Sequence, residues 1–394
     1  MGAGVQAYDA YYAADAQGLR VVGGECPTVG LAGGYTQGGG HSVLASVYGL
    51  GADQALEWEV VIANGSFVTA SPTQNSELYW ALSGGGGGTY GVVVSLTAKA
   101  HADGPVTGAS LSFNSSGISQ DSCEYDEQSR LNPIDRNLDW ELIATWHTTL
   151  LSITENGGAA TTLFGTDVFE AVPVTFPNQT TKQAQTLMEP MIATLENGKI
   201  PYSLTYKTFS NYLDFVENYF GPLPYGTDPA SQLTGSRLIA RSSIENNLDV
   251  VTAAFRNVSI PGPMITIAQQ VSHSIAGNTR SANAVLPAWR DAAVLVVLLE
   301  AWNFTAPWAQ DVAQAAVFTD SLVPQLDAVS PGSGTYLNEA NFEQPNWKED
   351  FYGSNYERLR AVKRLYDPED LFYATTAVGS DAWYVAADGR LCRA

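Results

Sequence analysis

Cys26 stands in Gly23-Gly-Glu-Cys-Pro-Thr-Val-Gly, at the end of a short apolar run. Backbone amides stripped of side chains can converge there and stabilise a thiolate, the nucleophilic and bond-forming state of cysteine. A lone cysteine is more often an inert small hydrophobe, so its type alone leaves both readings open. His41 follows Gly38–Gly40 and reads as a base or as a hydrogen-bonded loop residue; His101, His147 and His273 are scattered and read as structural. Gly86-x-Gly88-x-x-Gly91 has the spacing of a dinucleotide turn. That turn needs a helix after it to face a pyrophosphate, and here the β-branched run Val92-Val93-Val94 follows, which argues against a Rossmann site. Glycine runs 84–88 and 38–40 still offer backbone N–H groups to a phosphate or a ring. There is no CxxC or HxxxH pair for zinc. Gly353-Ser354-Asn355 lacks the nucleophile-elbow frame, and the many carboxylates permit a glycosidase pair without arguing for one.

These residues need elements to position them. The first stretch is amphipathic, with Val5, Tyr8, Tyr12, Ala16 and Leu19 on one helical face. A strand at Arg20–Val22 leads into the glycine-rich segment 23–51, where Val29, Leu31, Tyr35, Leu44 and Leu50 alternate with glycine as no flexible linker does. Asn64-Gly65 predicts a hairpin between Leu56–Ala63 and Ser66–Ala70. A short helix from Ser71-Pro72 carries Leu78, Tyr79 and Leu82, and Thr89–Leu96 reads as a buried strand. Beyond Pro105 the pattern is an α+β domain over about 106–325. Its elements are a loop at Asn114–Gly117, helix near Leu131–Leu142, and strands at Thr161–Phe169, Ile265–Ile275 and Ala292–Trp302. Ser242/Glu245 and Ser354/Glu357 have capping-box spacing, and the second opens a helix that ends at Asp367-Pro368. By strand alternation Gln269, Glu300 and Trp302 are candidates to line a pocket.

Composition narrows the partners. Nineteen Lys and Arg face 40 Asp and Glu among 394 residues, for a net charge of −21 with no basic cluster, which argues against nucleic acid. The longest apolar runs, such as Ala292–Leu299, are far short of a membrane span. Three cysteines cannot close a disulfide framework. The start has neither the basic nor the apolar region of a signal peptide, and Gln6 argues against myristoylation. Sequons at Asn64, Asn114, Asn178, Asn257 and Asn303 fit a secreted glycoprotein.

The strings GGECPTVGLAGGYTQGGGHS and GLGADQALEWEVVIANG, with Gln74–Ser83 running into Gly84–Val93, resemble one known domain. It is the FAD-binding domain of the vanillyl-alcohol-oxidase and berberine-bridge-enzyme-like flavoproteins. Asn346–Tyr356, Lys363–Pro368 and Leu371-Phe372 resemble that family's terminal segment, and Ala284–Arg290 resembles an element of its substrate domain. The resemblance implies a partial PCMH-type FAD-binding domain over 1–105 and a substrate domain, an antiparallel sheet covered by helices, over 106–325. A berberine-bridge segment over 326–394 returns to the FAD domain.

It further implies hydride transfer from a small alcohol, sugar or secondary metabolite to flavin N5, with O₂ as acceptor, in a monomer. Cys26 matches the cysteine bonded to the flavin ring. Val29, Gly30, Gly33, Gly34, Gly38, Gly88, Tyr90, Gly91, Val92 and Tyr373 match cofactor-lining positions. Tyr336, Asn338 and Glu339 match the catalytic segment, which in many members reads Tyr-x-Asn-Tyr; here Glu339 takes the last place. Family members carry a preceding FAD subdomain with a tethering histidine in an Arg-x-Gly-Gly-His-type loop. The chain is therefore expected to be a C-terminal portion that binds FAD weakly or not at all alone. The competing expectations are a non-catalytic fragment of such an oxidase and a secreted glycosidase or carbohydrate-binding protein.

Overall fold

The structure is a computed structural model; it describes residues 1–114, 140–165, 168–225, 232–259, 264–268 and 276–394. Its strands are β1 (Leu19–Arg20), β2 (Ala55–Val61), β3 (Phe67–Ala70), β4 (Val92–Ala98), β5 (His101–Ala102), β6 (Val106–Asn114), β7 (Ala159–Phe164), β8 (Val168–Pro177), β9 (Tyr202–Phe209), β10 (Gln232–Ala240), β11 (Met264–Ala268), β12 (Ala292–Ala301), β13 (Trp383–Val385) and β14 (Leu391–Arg393). Seven of them form one sheet in the order β10-β12-β11-β7-β8-β6-β9, every neighbouring pair antiparallel. A second sheet, β3-β2-β4, is built on the Asn64-Gly65 hairpin, and β1 pairs with β5.

The large sheet is covered on both faces, which explains the unbroken apolar run of β12. Val294, Val296 and Leu298 face the helices Trp140–Glu155, Thr181–Asn197 and Arg241–Ser259 in one core. Leu295 and Val297, one residue out of phase, join Leu50, Val285, Trp289 and Tyr336 in another. The mixed helix and antiparallel-sheet architecture read from the sequence is thus the one found.

Several local expectations differ. The N-terminal helix, Ala7–Asp15, buries Ala7, Ala10, Tyr11 and Ala14 and exposes Tyr12, so its core face is rotated from the tyrosine-rich one. The tyrosines are large enough to make the wrong stripe look apolar. Residues 161–169 are two antiparallel strands, β7 and β8, rather than one. β4 pairs on its outer edge only with Met1–Ala3 and leaves Val92 and Val94 exposed, so it is not a buried strand. The helix expected from Ser71-Pro72 begins at Ser76. Neither capping box forms. Glu245 turns to Arg241 at 2.7 Å, and Ser354 lies inside a 3₁₀ turn before the Tyr356–Tyr366 helix. The Asn114–Gly117 loop, apart from Asn114, and most of the Leu131–Leu142 helix lie outside the described residues, as do Cys123, Gln269 and His273.

Among the buried cations of the described residues, Arg290 and Lys363 tie the glycine segments to distant parts of the chain. Arg290 clasps Asp53 bidentately, both bonds 2.7 Å, while Asn283 Nδ2 donates to the same carboxylate at 2.7 Å and the Leu50 N–H at 2.9 Å. Lys363 donates to the carbonyls of Thr89 (2.8 Å) and Phe372 (2.7 Å) and pairs with Asp367, fixing the C-terminal helix to the second glycine run. Burial alone would raise the Asp367 carboxyl. Lys363 and the Phe372 and Leu371 N–H groups outweigh it and hold that carboxyl below the ordinary range.

Removing one partner of such a pair strands the other charge. Arg290→Met should cost about 3–5 kcal/mol, read as a lower urea midpoint at unchanged slope. An unchanged midpoint would show that the clasp does not hold the two parts.

Candidate functional site

The two glycine runs meet backbone to backbone. The Gly86 N–H donates to Gln37 O at 2.8 Å, and a Cβ on Gly87 would lie 3.1 Å from Gly34 Cα. Leu31–Tyr35 turns with a kink at Gly33, whose ψ of −142° is not helical, and the Gly38 N–H donates to Gly34 O at 2.8 Å. Asn338 closes this turn from above: its Nδ2 donates to Gly34 O at 2.9 Å and to the Tyr336 hydroxyl at 2.7 Å. A Cβ on Gly38 would stand 2.5 and 2.7 Å from the Asn338 amide atoms, so the turn and the amide interlock only with glycine there. At Gly33 and at Gly88 (φ +68) a Cβ would meet no atom within 4 Å. Bare backbone therefore faces open space at the rim of a cradle.

Beside the cradle stands a wall of titratable and aromatic groups. His41 Nε2 lies 2.8 Å from Glu339 Oε1. The His41 ring stacks on Trp289 (6.4 Å, 26°) and meets Tyr336 edge-on (5.2 Å, 74°). Glu25 accepts a 2.7 Å hydrogen bond from Thr161 Oγ1 on β7. Burial pushes the Glu25 carboxyl up and Glu339 adds to this, against the opposing pull of His41 and Thr161. Burial, then the Glu339 charge, push the Tyr336 phenol well above its usual range. Two further tyrosines brace the segment: Tyr11 donates to Gly24 O at 2.6 Å, and Tyr35 to His41 O at 2.8 Å. The assembly can accept a proton at a carboxylate while presenting a phenol that stays protonated.

The structure thus brings Gly34, Gly38, Tyr336, Asn338 and Glu339 together, with Gly33 and Gly88 at the rim. Half-buried Cys26 has its Sγ 3.4 Å from Thr28 Oγ1. Val29 is exposed, and Gly30 bridges to Gln6. Tyr90 is buried and supports the second run by donating to Gly85 O at 3.2 Å. Gly91 is required by packing, since a Cβ there would stand 2.6 Å from Val60 Cγ1. Val92 lies exposed on β4, and Tyr373 is half-buried just after Phe372. Glu300 and Trp302 fall on the helix-covered side of β12: Trp302 packs against that core and Glu300 bonds Gln314. Sequence reasoning missed Glu25 and the supporting tyrosines; the adjacency of Glu25 to Cys26 was the available signal. A cavity of about 750 Å³, lined by residues including Arg241, Ser242, Leu286 and Ser354, contains none of the wall residues. Among the described residues no cluster of three or more His, Cys, Asp or Glu could hold a metal.

Comparison with known proteins shows the family. The family model described as berberine and berberine like matches residues 335–379, which include Tyr336, Asn338 and Glu339. FAD-linked oxidoreductase patO of Aspergillus clavatus is 45% identical over 394 residues, covering 100% of this chain and 66% of its own length. The crystal structure at pH 5.0 of a VAO-type flavoprotein from Myceliophthora thermophila C1 superposes with TM-score 0.89 at 42% identity, over 100% of this chain and 69% of that one. The chain belongs to the berberine-bridge-like, VAO-type family of FAD-linked oxidoreductases. A VAO-type flavoprotein oxidase of Thermothelomyces thermophilus is 42% identical, again across 66% of its length. This member therefore spans 66% of the length of these curated relatives.

The residues present fit a flavin. A flat ring or a phosphate needs backbone that can be approached closely, and the glycine rim at Gly33 and Gly88 supplies it. Gly38→Ala should displace Asn338 and cost about 1–3 kcal/mol of unfolding free energy, whereas Gly33→Ala should stay within about 0.5 kcal/mol. Equal effects of the two in urea unfolding would refute the interlocking.

Proposed function

We propose that the cradle and its wall are the flavin-ring and substrate part of an FAD-dependent oxidase acting on an alcohol, sugar or secondary metabolite, with O₂ as acceptor. The observation that carries this reading is the meeting of the two glycine runs beneath Asn338, directly beside Tyr336 and Glu339, in a chain of this family. Cys26 would tether the ring; Gly33, Gly34, Gly38 and Gly88 would line it. Bound FAD would supply the hydride acceptor.

This chain's residues then manage the substrate and its proton. Tyr336 stays protonated at neutral pH, because burial and the Glu339 charge oppose its ionisation, and so it serves as a hydrogen-bond donor. Asn338 holds that phenol by the 2.7 Å bond to its oxygen. Glu339 is the group suited to receive the hydroxyl proton. Trp289 and Tyr336 meet edge-on and back the His41 ring. No helix among the described residues is long and apolar enough to cross a membrane. Sequons Asn64 and Asn303 lie exposed in turns, which supports a secreted glycoprotein.

Titrating the full chain with FAD tests the reading. Weak but saturable FAD binding, with reduction of the bound flavin by substrate, is expected of a chain spanning 66% of its relatives' length, and absence of both would overturn the reading for this chain. Acid precipitation should leave the flavin in the pellet, and Cys26→Ser should weaken that retention; all colour in the supernatant would sink the tether.

A further inference from the structure

We propose that His41 is the positioning residue of the proton acceptor: its Nε2–H donates to Glu339 Oε1 and leaves Oε2 to take the substrate's hydroxyl proton. This rests on the reading of the site as an alcohol-oxidising one. Three observations carry it. His41 and Glu339 are 298 residues apart in sequence yet 2.8 Å apart in space. Glu339 is the outer partner, its side chain 31% exposed against 11% for His41, so the carboxylate reaches the cleft and the imidazole backs it. The imidazole cannot swing freely, because Trp289 stacks on it, Tyr336 meets it edge-on and Tyr35 pins its carbonyl.

A glutamate has three side-chain torsions to settle, and a fixed donor behind it removes most of that freedom. In the step, the substrate O–H bond breaks and its proton passes to Oε2. The O–H electron pair would become the second bond of the new carbonyl, and the C–H pair would leave as the hydride that bound FAD accepts. His41 neither gains nor loses a proton.

Among the described residues, the groups that face His41 include Glu339 from the 3₁₀ turn Leu337–Glu339, Glu25 from the glycine segment, the Tyr336 phenol and the neutral Trp289 ring. Glu339 is in direct contact with the imidazole, and Glu25 acts on it through space. Glu25 is the deeper of the two and is already engaged by Thr161, so Glu339 is left as the acceptor.

Histidine ¹⁵N NMR on the full chain tests the pairing without flavin. His41 is assigned by the signal lost in His41→Gln. The expected result is an Nε2–H tautomer and a titration midpoint that falls by about one pH unit in Glu339→Gln, the usual effect of losing an opposite charge in contact. An Nδ1–H tautomer, or an unmoved midpoint, overturns the proposal. In FAD-loaded protein, His41→Ala should move the acid limb of the substrate-reduction profile to higher pH. His41→Gln, which keeps a donor near the Nε2 position, should restore it. A uniform loss at every pH in both variants would mean a structural role only and would also overturn the proposal. Failure to load FAD would count against the oxidase reading, while the NMR result would still decide the pairing.

Discussion

The buried clasp of Arg290 on Asp53 is the interaction on which the rest of the site depends. It ties the end of the first glycine segment to the turn that enters β12, through two charge-assisted bonds of 2.7 Å. Desolvating two charges is costly, and here the remaining lone pairs are met by Asn283 and the Leu50 N–H. The clasp also sets its neighbours. Val285 is held against Gly84 and Gly39, and Trp289 against His41 and Tyr336. Both glycine runs and the aromatic wall thus share one anchor.

The second anchor, Lys363, works from the opposite end of the chain. Its contact with Thr89 O holds the second glycine run where the Gly86 N–H can reach Gln37. The segment bearing Tyr336 is pinned independently to the large sheet, since the Leu238 N–H donates to Gly334 O at 2.8 Å and Thr234 Oγ1 to Ala340 O at 3.1 Å. Three stretches far apart in sequence therefore converge on rigid supports, the condition for holding proton-handling groups to fractions of an ångström.

Much of this was legible in residue types. Glycines at 34, 38 and 86–87 stand where backbone touches backbone or an amide, and the sequence pattern marks the first of these runs as packed rather than loose. Asn64-Gly65 announced its hairpin. The out-of-phase residues were harder. Alternation predicts Glu300 and Trp302 for the pocket, but it gives two faces without saying which is which, and helices cover theirs. The capping boxes failed because Arg241 offered Glu245 a charged partner and because a 3₁₀ turn takes up Ser354.

What the sequence by itself determined was the chemistry available: glycine-rich backbone, one cysteine among glycines, and a terminal Tyr-x-Asn-Glu segment whose resemblance named a flavoprotein family. Those are local properties, written in consecutive residues. Only the tertiary structure decided that Glu339 would meet His41, that Glu25 would turn to β7, and that Tyr336 would be buried beside a carboxylate. Each of those pairings joins residues more than a hundred positions apart or depends on burial. Chain order holds no distance at that range; packing does.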